Sequence, residues 1–578
     1  MKRGGLWSFR GLLIGLTLLH LLPIWCVDRV PTQDGPMHLE TATALLHYSD
    51  PGRDYSRFFY RNTEPVPSLL SHVFLTGAMA ATGPQVAEKL LLSIYVILFV
   101  GGVYWLLFTV DPERTFFTLL AFPMIYNYLL HVGLYGFVIS VPLSLLIVAW
   151  WWKQEEPRRW RTLLILVAAL VLLYFCHLVP VAILCMVLPV VGITRHRLGP
   201  EGLLRLAVAL LLACVLPAWF LYRWGTDVSH FRPLWTGVWE LVSFDSLASF
   251  SPAQHWVGRS LGLITALIVV HTVRARRSDA TSSTGASGAL RAACAGGEAT
   301  FLVSALLCAA LYLVTPENVS EGGFVVERVA LYPFLLLLPW LEPRFRRSAQ
   351  KRALGCALVA LTLVHLGQTL HYYRETVDDL GEYTSGIHLV HPDDTILPVH
   401  FDGTTSGQVF ESHYRVGILW HGVGHYCAEA GAIGLFNIQG NKRLFPLSYF
   451  AEMHPFDTMG DLRGGNPRDI DPSGYPVPID VILVWGWTGN VDGIDEPAEL
   501  ERLTRNYRLV HRTPRLRLYR LQGRKSPVRI ASTWASTLWT TRAIPIVGRS
   551  ISRPSSGWPT WRQRPGSKDG LRSRSMRP

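Results

Sequence analysis

Residues 11–27 read GLLIGLTLLHLLPIWCV, and residues 32–40, a few positions later, read TQDGPMHLE. The first stretch is an uncharged apolar run long enough to cross a bilayer. The second carries two carboxylates and an imidazole, on Asp34, Glu40 and His38. Basic residues at Lys2, Arg3 and Arg10 precede the run, and such residues favour the cytoplasmic side. We therefore expect the N-terminus in the cytoplasm and residues 32–40 at the outer membrane face.

The whole chain is too apolar for a water-soluble protein of its size. Of its 578 residues 49% are hydrophobic and 17% charged, and the mean hydropathy is +0.25. Apolar runs recur to about residue 370, with basic clusters between them on the predicted cytoplasmic side. The pattern predicts a polytopic α-helical membrane protein with about eleven transmembrane helices, at residues 11–27, 86–110, 115–130, 134–152, two within 161–194, 203–222, 257–273, 299–316, 324–341 and 352–370. We expect a multi-pass protein of the bacterial inner membrane.

Three regions follow from this pattern. Residues 1–370 form the transmembrane domain, whose first outer loop, residues 28–85, contains predicted helices at 36–48 and 68–81. Residues 371–522 change to short alternating runs, which predict a small extracytoplasmic α/β domain with strands at 395–401, 480–485, 507–511 and 516–521 and a helix at 496–505. Residues 523–578 are rich in Ser, Arg and Pro and predict a disordered basic tail.

The net charge of +12 resides almost entirely in that tail. Residues 523–578 contain twelve Lys and Arg against one acid, Asp569, which leaves about +1 for the other 522 residues. The main body is therefore not a basic nucleic-acid-binding protein, and no nucleic acid is expected as a partner. For the tail, binding to anionic lipid headgroups and a dispensable segment both stay open.

The chain resembles the GT-C superfamily of integral-membrane glycosyltransferases. The resemblance rests on Asp34 in the first outer loop, on the segment Glu64-Pro65-Val66-Pro67-Ser68-Leu69-Leu70 before the second span, on Glu88-Lys89 entering that span, and on about eleven spans followed by an outer C-terminal domain. It implies a GT-C-like fold, a polyprenyl-phosphate-linked sugar donor and a glycan, lipid or protein acceptor. This chain has Asp34-Gly35-Pro36 where many members have an acidic pair, so a divalent metal stays open and no metal ligand is assigned.

Sugar transfer from a lipid phosphate needs a base for the acceptor hydroxyl. The resemblance assigns that role to Asp34; the alternative is an Asp that only caps the helix beginning near Pro36. His38 follows four residues later, one turn away on the same helix face, where it can orient Asp34, bind substrate or simply be hydrogen-bonded. Glu40 is the second candidate carboxylate.

The reaction also needs a cation at the leaving phosphate. Arg328, with Glu327 beside it, is the clear candidate, because charges within a membrane segment usually face a cavity or a partner. An internal ion pair is the alternative for both residues, and a side chain that snorkels to the membrane interface is a further alternative for Arg328. His177 and His131 are further candidates for the substrate cavity, with packing roles as their alternative.

Two further interpretations stay open at this point. His421 and His425 have the spacing of helical metal ligands, with Glu429 nearby, but the glycines between them weaken such a helix. A non-enzymatic membrane protein, either a transporter or an envelope-assembly scaffold, is the alternative to the glycosyltransferase.

Overall fold

Apolar helices dominate the part of the chain that the computed structural model describes, which is residues 3–225, 228–279, 297–319, 322–345, 347–401, 414–442, 444–460, 462, 469–486 and 496–523. The predicted basic tail lies outside these residues from 524 onward. The α-helices α1 to α21 span Arg3–Trp25, Gly35–Leu46, Tyr55–Phe58, Leu69–Thr82, Pro84–Val110, Tyr128–Val132, Tyr135–Trp152, Trp160–Cys176, Leu178–Thr194, Pro200–Ala213, Val215–Trp224, Leu234–Val242, His255–Asp279, Ala299–Val314, Val325–Val329, Tyr332–Leu337, Ser348–Thr384, Val423–Ala430, Ile438–Asn441, Pro455–Thr458 and Glu496–Thr504.

Four stretches are long and apolar enough to cross a membrane: Pro84–Val110, Tyr135–Trp152, Pro252–Arg277 and Ser348–Leu389. The number rises to six if two bent helix pairs each count as one span. Five shorter apolar helices accompany them, among them Trp160–Cys176 and Leu178–Thr194. The described residues thus support a helical membrane protein with four to six candidate spans, whereas the predicted count of about eleven is not confirmed.

The surface-exposed faces of these helices are strongly apolar. Leu211 is 69% exposed, Leu263 63% and Leu306 60%. Exposed leucines on so many helices are unusual for a water-soluble surface and are expected where a helix faces lipid.

Residues 324–341 do not form the single helix that the sequence predicts. Phe324 has a left-handed φ of 57°, and the chain continues as α15, α16 and a short 3₁₀ turn at Leu338–Trp340. Pro333 and Pro339 each lack the backbone N–H that a continuous helix requires. Glu327 and Arg328 therefore lie on a five-residue helix beside the breaks, rather than within a long span.

The strands β1 to β9 span Phe59–Arg61, Val228–Ser229, Asn318–Val319, Thr395–His400, Ile433–Gly434, Leu447–Tyr449, Val481–Trp485, Tyr507–Arg512 and Leu516–Leu521. Five of them form one mixed sheet in the order β5-β4-β7-β9-β8. β4 is parallel to β5 and β7, and β9 is antiparallel to β7 and β8. Every residue of β4 and β7 is buried, as expected of central strands covered on both faces.

The C-terminal segment is joined closely to the first outer loop. β1 pairs with β6 in antiparallel register, with Phe59 opposite Tyr449. α18 packs on α2 so tightly that a Cβ on Gly424 would lie 2.4 Å from the carbonyl oxygen of Pro36. Residues up to Gly523 form one compact unit, and α17 runs straight through the predicted boundary at residue 370. The outer loop and the C-terminal segment are therefore held in one arrangement around the site described next.

Candidate functional site

A cavity of about 720 Å³ lies where the outer loop, the C-terminal segment and the helix bundle meet. Its lining includes polar side chains from distant parts of the chain: Gln33, Asp34, His38, His177, Arg328, His421, Gln439 and Lys442. The remaining wall is mainly apolar and includes Val181, Ile183, Pro217, Phe220, Leu221, Leu311 and Phe324. The cavity therefore offers one charged region next to a long apolar surface.

The loop before α2 is fixed by backbone hydrogen bonds to the turn that precedes α7. The N–H of Gln33 donates to the carbonyl of His131 and that of Asp34 to the carbonyl of Val132, both at 2.9 Å. Gly133, with a φ of 89°, lets the two backbones approach this closely. A Cβ there would lie 2.9 Å from the nitrogen of Asp34. The backbone of Asp34 is thus positioned by main-chain contacts, independently of its side chain.

The side chain of Asp34 does not cap α2. Asp34 occupies the N-cap position, yet its carboxylate accepts no hydrogen bond from the first turn of the helix. The carboxylate is 17% exposed and lines the cavity. Gln33 donates to its Oδ1 from Nε2 at 3.3 Å, and the Nε2 of His421 lies 3.6 Å from the same oxygen. The carboxylate is therefore free of the capping role that the sequence left open.

Burial raises the pKa of Asp34 from 3.8 to about 6. The hydrogen bond from Gln33 and the positive charges of Lys442 and Arg328 lower the pKa and offset part of that effect. Burial lowers the pKa of His421 to about 3, so its imidazole is neutral at physiological pH. A carboxylate with such a pKa accepts a proton more readily than an ordinary Asp while staying mostly ionised near neutrality.

Arg328 and Glu327 face different cavities. Glu327 pairs with Arg232, which also contacts Glu240 and Glu317. Glu327, Arg232 and Glu240 line a smaller pocket. Arg328 lines the large cavity, and among the described residues its Nε has no hydrogen-bond partner. Glu327 therefore forms an internal ion pair, as one alternative predicted, while Arg328 faces the cavity that Asp34 lines.

His38 lines the cavity within a polar network. Its Nδ1 lies 3.0 Å from Nε2 of His72, and the side-chain amide nitrogen of Gln439 lies 2.9 Å from the same Nδ1. The ring stacks on Tyr135 at a centroid distance of 5.1 Å. Burial, followed by the nearby His72, lowers the pKa of His38 well below its ordinary value, so the ring is neutral. The amide nitrogen of Gln439 also lies 3.2 Å from Nε2, so both ring nitrogens contact protein groups at the cavity wall.

Glu40 and His131 do not line the cavity. The carboxylate of Glu40 accepts from the N–H of Gly434 at 3.1 Å, and burial raises its pKa to about 8. His131 is buried with its Nδ1 2.8 Å from Oγ of Ser249 and its ring against Phe250. We correct both predictions: each side chain is engaged in packing behind the site. His177, by contrast, caps α9 by accepting from the N–H of Val179 and also lines the cavity.

Sequence reasoning missed His421, Gln439 and Lys442 as members of this site. His421 was weighed only with His425 as a metal pair, but the structure separates them. His425 is buried in α18, and within the described ranges neither of its ring nitrogens has a hydrogen-bond partner. Glu429 pairs with Arg29 at 2.8 Å. Across the described chain, no group of three or more His, Cys, Asp or Glu is placed to hold a metal ion.

Comparisons with known proteins add little to this geometry. No protein-family model matches the chain, and no curated protein matches it. A crystal structure of ArnT from Cupriavidus metallidurans in the apo state is among the similar solved structures, at 13% identity over 89% of this chain and 98% of that one. The TM-score of 0.39 is too low to carry an argument. The functional assignment therefore rests on the residues of this chain.

Proposed function

We propose that this protein is a GT-C-like membrane glycosyltransferase that moves a sugar from a polyprenyl-phosphate-linked donor to an extracytoplasmic glycan, lipid or protein. One observation carries the proposal: Asp34 and Arg328 line the same cavity, and most of the remaining wall is apolar. A base and a cation on one cavity meet the two needs of glycosyl transfer from a phosphate. An adjoining apolar wall suits a long isoprenoid chain.

In this proposal the donor phosphate lies against Arg328, whose guanidinium forms charge-assisted hydrogen bonds with phosphate oxygens. Lys442 adds a second positive charge at the same cavity. The polyprenyl chain follows the wall formed by residues such as Val181, Phe220 and Leu311. The sugar is then held between the phosphate and Asp34.

Asp34 accepts the proton of the acceptor hydroxyl while the oxygen of that hydroxyl attacks the anomeric carbon of the sugar. The bond from that carbon to the phosphate oxygen breaks, and its electron pair leaves with the polyprenyl phosphate. Attack opposite the leaving group inverts the anomeric configuration. Arg328 stabilises the charge on the departing phosphate, and the neutral rings of His38 and His421 provide hydrogen-bonding groups without adding charge. No step is assigned to a metal ion.

The proposal also places the protein in a bacterial inner membrane, with its N-terminus in the cytoplasm and the cavity at the outer face. The basic residues before and between the apolar helices support this orientation. In this orientation Asp34, which follows the first apolar segment, lies at the outer interface, where it can contact the headgroup of the donor.

The test is Asp34→Asn in membranes supplied with a panel of polyprenyl-phosphate sugars, with release of polyprenyl phosphate as the readout. Removing a general base slows transfer by about 100-fold or more, so we expect at least that loss. Glu40→Gln is the matched control, because it makes the same carboxyl-to-amide change at a nearby buried residue outside the cavity and should keep normal activity. Release by the Asp34→Asn variant at the wild-type rate would remove Asp34 from the mechanism.

A further inference from the structure

Two cysteines meet on the apolar wall of the large cavity. Cys185 lies in α9 and Cys214 at the junction of α10 and α11, and their sulfur atoms are 3.4 Å apart. Both are free thiols, and both line the cavity. We propose that Cys185 and Cys214 form a reversible disulfide, which makes this wall a site of oxidative modification. The proposal does not depend on the glycosyltransferase assignment.

The geometry favours this pair. A disulfide bond is about 2.05 Å long, so the two sulfur atoms must approach by about 1.4 Å, which side-chain rotation and a small shift of the junction can supply. Cys214 lies where α10 and α11 meet at a bend of 43°.

The cavity gives a reagent access to both sulfur atoms. The two side chains are partly buried and share the wall with Pro217 and Phe220. Because the wall around both sulfur atoms is mainly apolar, we expect a small, uncharged oxidant to reach them more readily than a charged one. Cys176 and Cys308 are buried and do not line the cavity, so the same reagent should reach them less readily.

Closing the bond requires a two-electron oxidant, and an uncharged aromatic disulfide supplies it here. One thiol, as its thiolate, attacks the reagent, forms a mixed disulfide and releases one aromatic thiol. The second cysteine then displaces the other aromatic thiol and closes the Cys185–Cys214 bond. Two S–H bonds are broken and one S–S bond is formed, while the reagent is reduced to two thiols. The bond would tie α9 to the α10–α11 junction and fix the shape of the apolar wall.

The experiment treats the purified full-length protein in detergent with such a disulfide and maps its peptides by mass spectrometry. Cys26 and Cys356 are exposed, so both are replaced by Ser beforehand. We expect a cross-link between Cys185 and Cys214 that a reductant reverses. Cys214→Ser should retain the aromatic adduct on Cys185, because no neighbouring thiol displaces it.

Cys176→Ser, a change in the neighbouring helix α8, is the matched control and should still form the cross-link. The proposal is overturned if Cys185 and Cys214 carry separate adducts, or if both remain thiols while other buried cysteines react.

Discussion

At the scale of single residues, the central finding is that the side chain of Asp34 does not cap the helix that it precedes. The sequence placed an acid in an N-cap position, and that position alone fits either a cap or a catalytic base. The structure shows the capping hydrogen bond to be missing and the carboxylate to line a cavity. A buried carboxylate with a raised pKa carries a penalty in the folded state, as expected of a residue retained for chemistry.

This penalty predicts how Asp34→Asn changes stability with pH. The pKa of Asp34 is about 6 when folded and 3.8 ordinarily, so folding favours the protonated form. The penalty is therefore fully present above pH 6 and vanishes as the pH falls through 3.8. We expect the variant to unfold at a higher temperature than wild type at pH 8 and at the same temperature near pH 4. A variant less stable than wild type at pH 8 would instead indicate a structural role for the carboxylate.

The same pKa sets the pH dependence of transfer. The base must be ionised, so activity should rise with pH through about 6 and then level off. Initial rates of polyprenyl phosphate release between pH 4.5 and 8.5 measure this profile. A rate that falls as the pH rises through 6 would exclude Asp34 as the base.

The residue types at the site were partly predictable. Asp34 and His38 were found because they follow a span closely, and Arg328 because a charge stands out in an apolar run. Their neighbours were not predictable, because Gln439, Lys442 and His421 reach the cavity only through the packing of the C-terminal segment. The hydrogen bond from Gly434 to Glu40 and the ion pair of Glu327 with Arg232 also depend on long-range packing, so they were not predictable either.

At the scale of secondary-structure elements, close backbone approach defines the site. The turn at Gly133 supports the loop of Asp34, and its positive φ allows an approach that a side chain would prevent. Local patterns predicted much of the rest: strand β9 spans residues 516–521 as expected, and α21 begins at Glu496. The prediction of one continuous helix at residues 324–341 was wrong because it rested on hydrophobicity alone. The left-handed Phe324 and the prolines Pro333 and Pro339 instead divide this segment into short helices.

Gly133→Ala tests the support that this turn gives to Asp34. A left-handed conformation costs an alanine about 1–2 kcal/mol, and the added Cβ would also meet the nitrogen of Asp34 at 2.9 Å. We expect lower stability and a loss of transfer activity. Gly83→Ala is the matched control: its φ is 86°, but nothing lies within 4 Å of the added Cβ. Because the ψ of Gly83 is 170°, alanine is even less favourable there than at Gly133, so this variant should lose at least as much stability from strain yet keep its activity, as thermal unfolding and polyprenyl phosphate release would show. Equal activities in the two variants would contradict the proposed support.

At the scale of the whole molecule, the loop before α2, the apolar helices and residues 420–445 of the C-terminal segment enclose a large cavity, while the mixed sheet lies outside its lining. Composition and periodicity predicted the apolar helices and several of the strands, since these patterns are local. They also placed a domain boundary at residue 370, whereas α17 continues to Thr384 and the first outer loop pairs with β6. Such contacts join residues hundreds of positions apart, and no local pattern reports them.

The most direct test of the central claim measures binding of polyprenyl phosphate to the purified protein by native mass spectrometry. The account predicts one bound molecule on wild type and about tenfold or greater weakening in Arg328→Gln, which loses a charge-assisted contact to the phosphate. Asp34→Asn serves as control and should bind at least as tightly as wild type, because it removes a negative charge near the phosphate. Equal binding by wild type and Arg328→Gln, or no binding by wild type, would contradict the account.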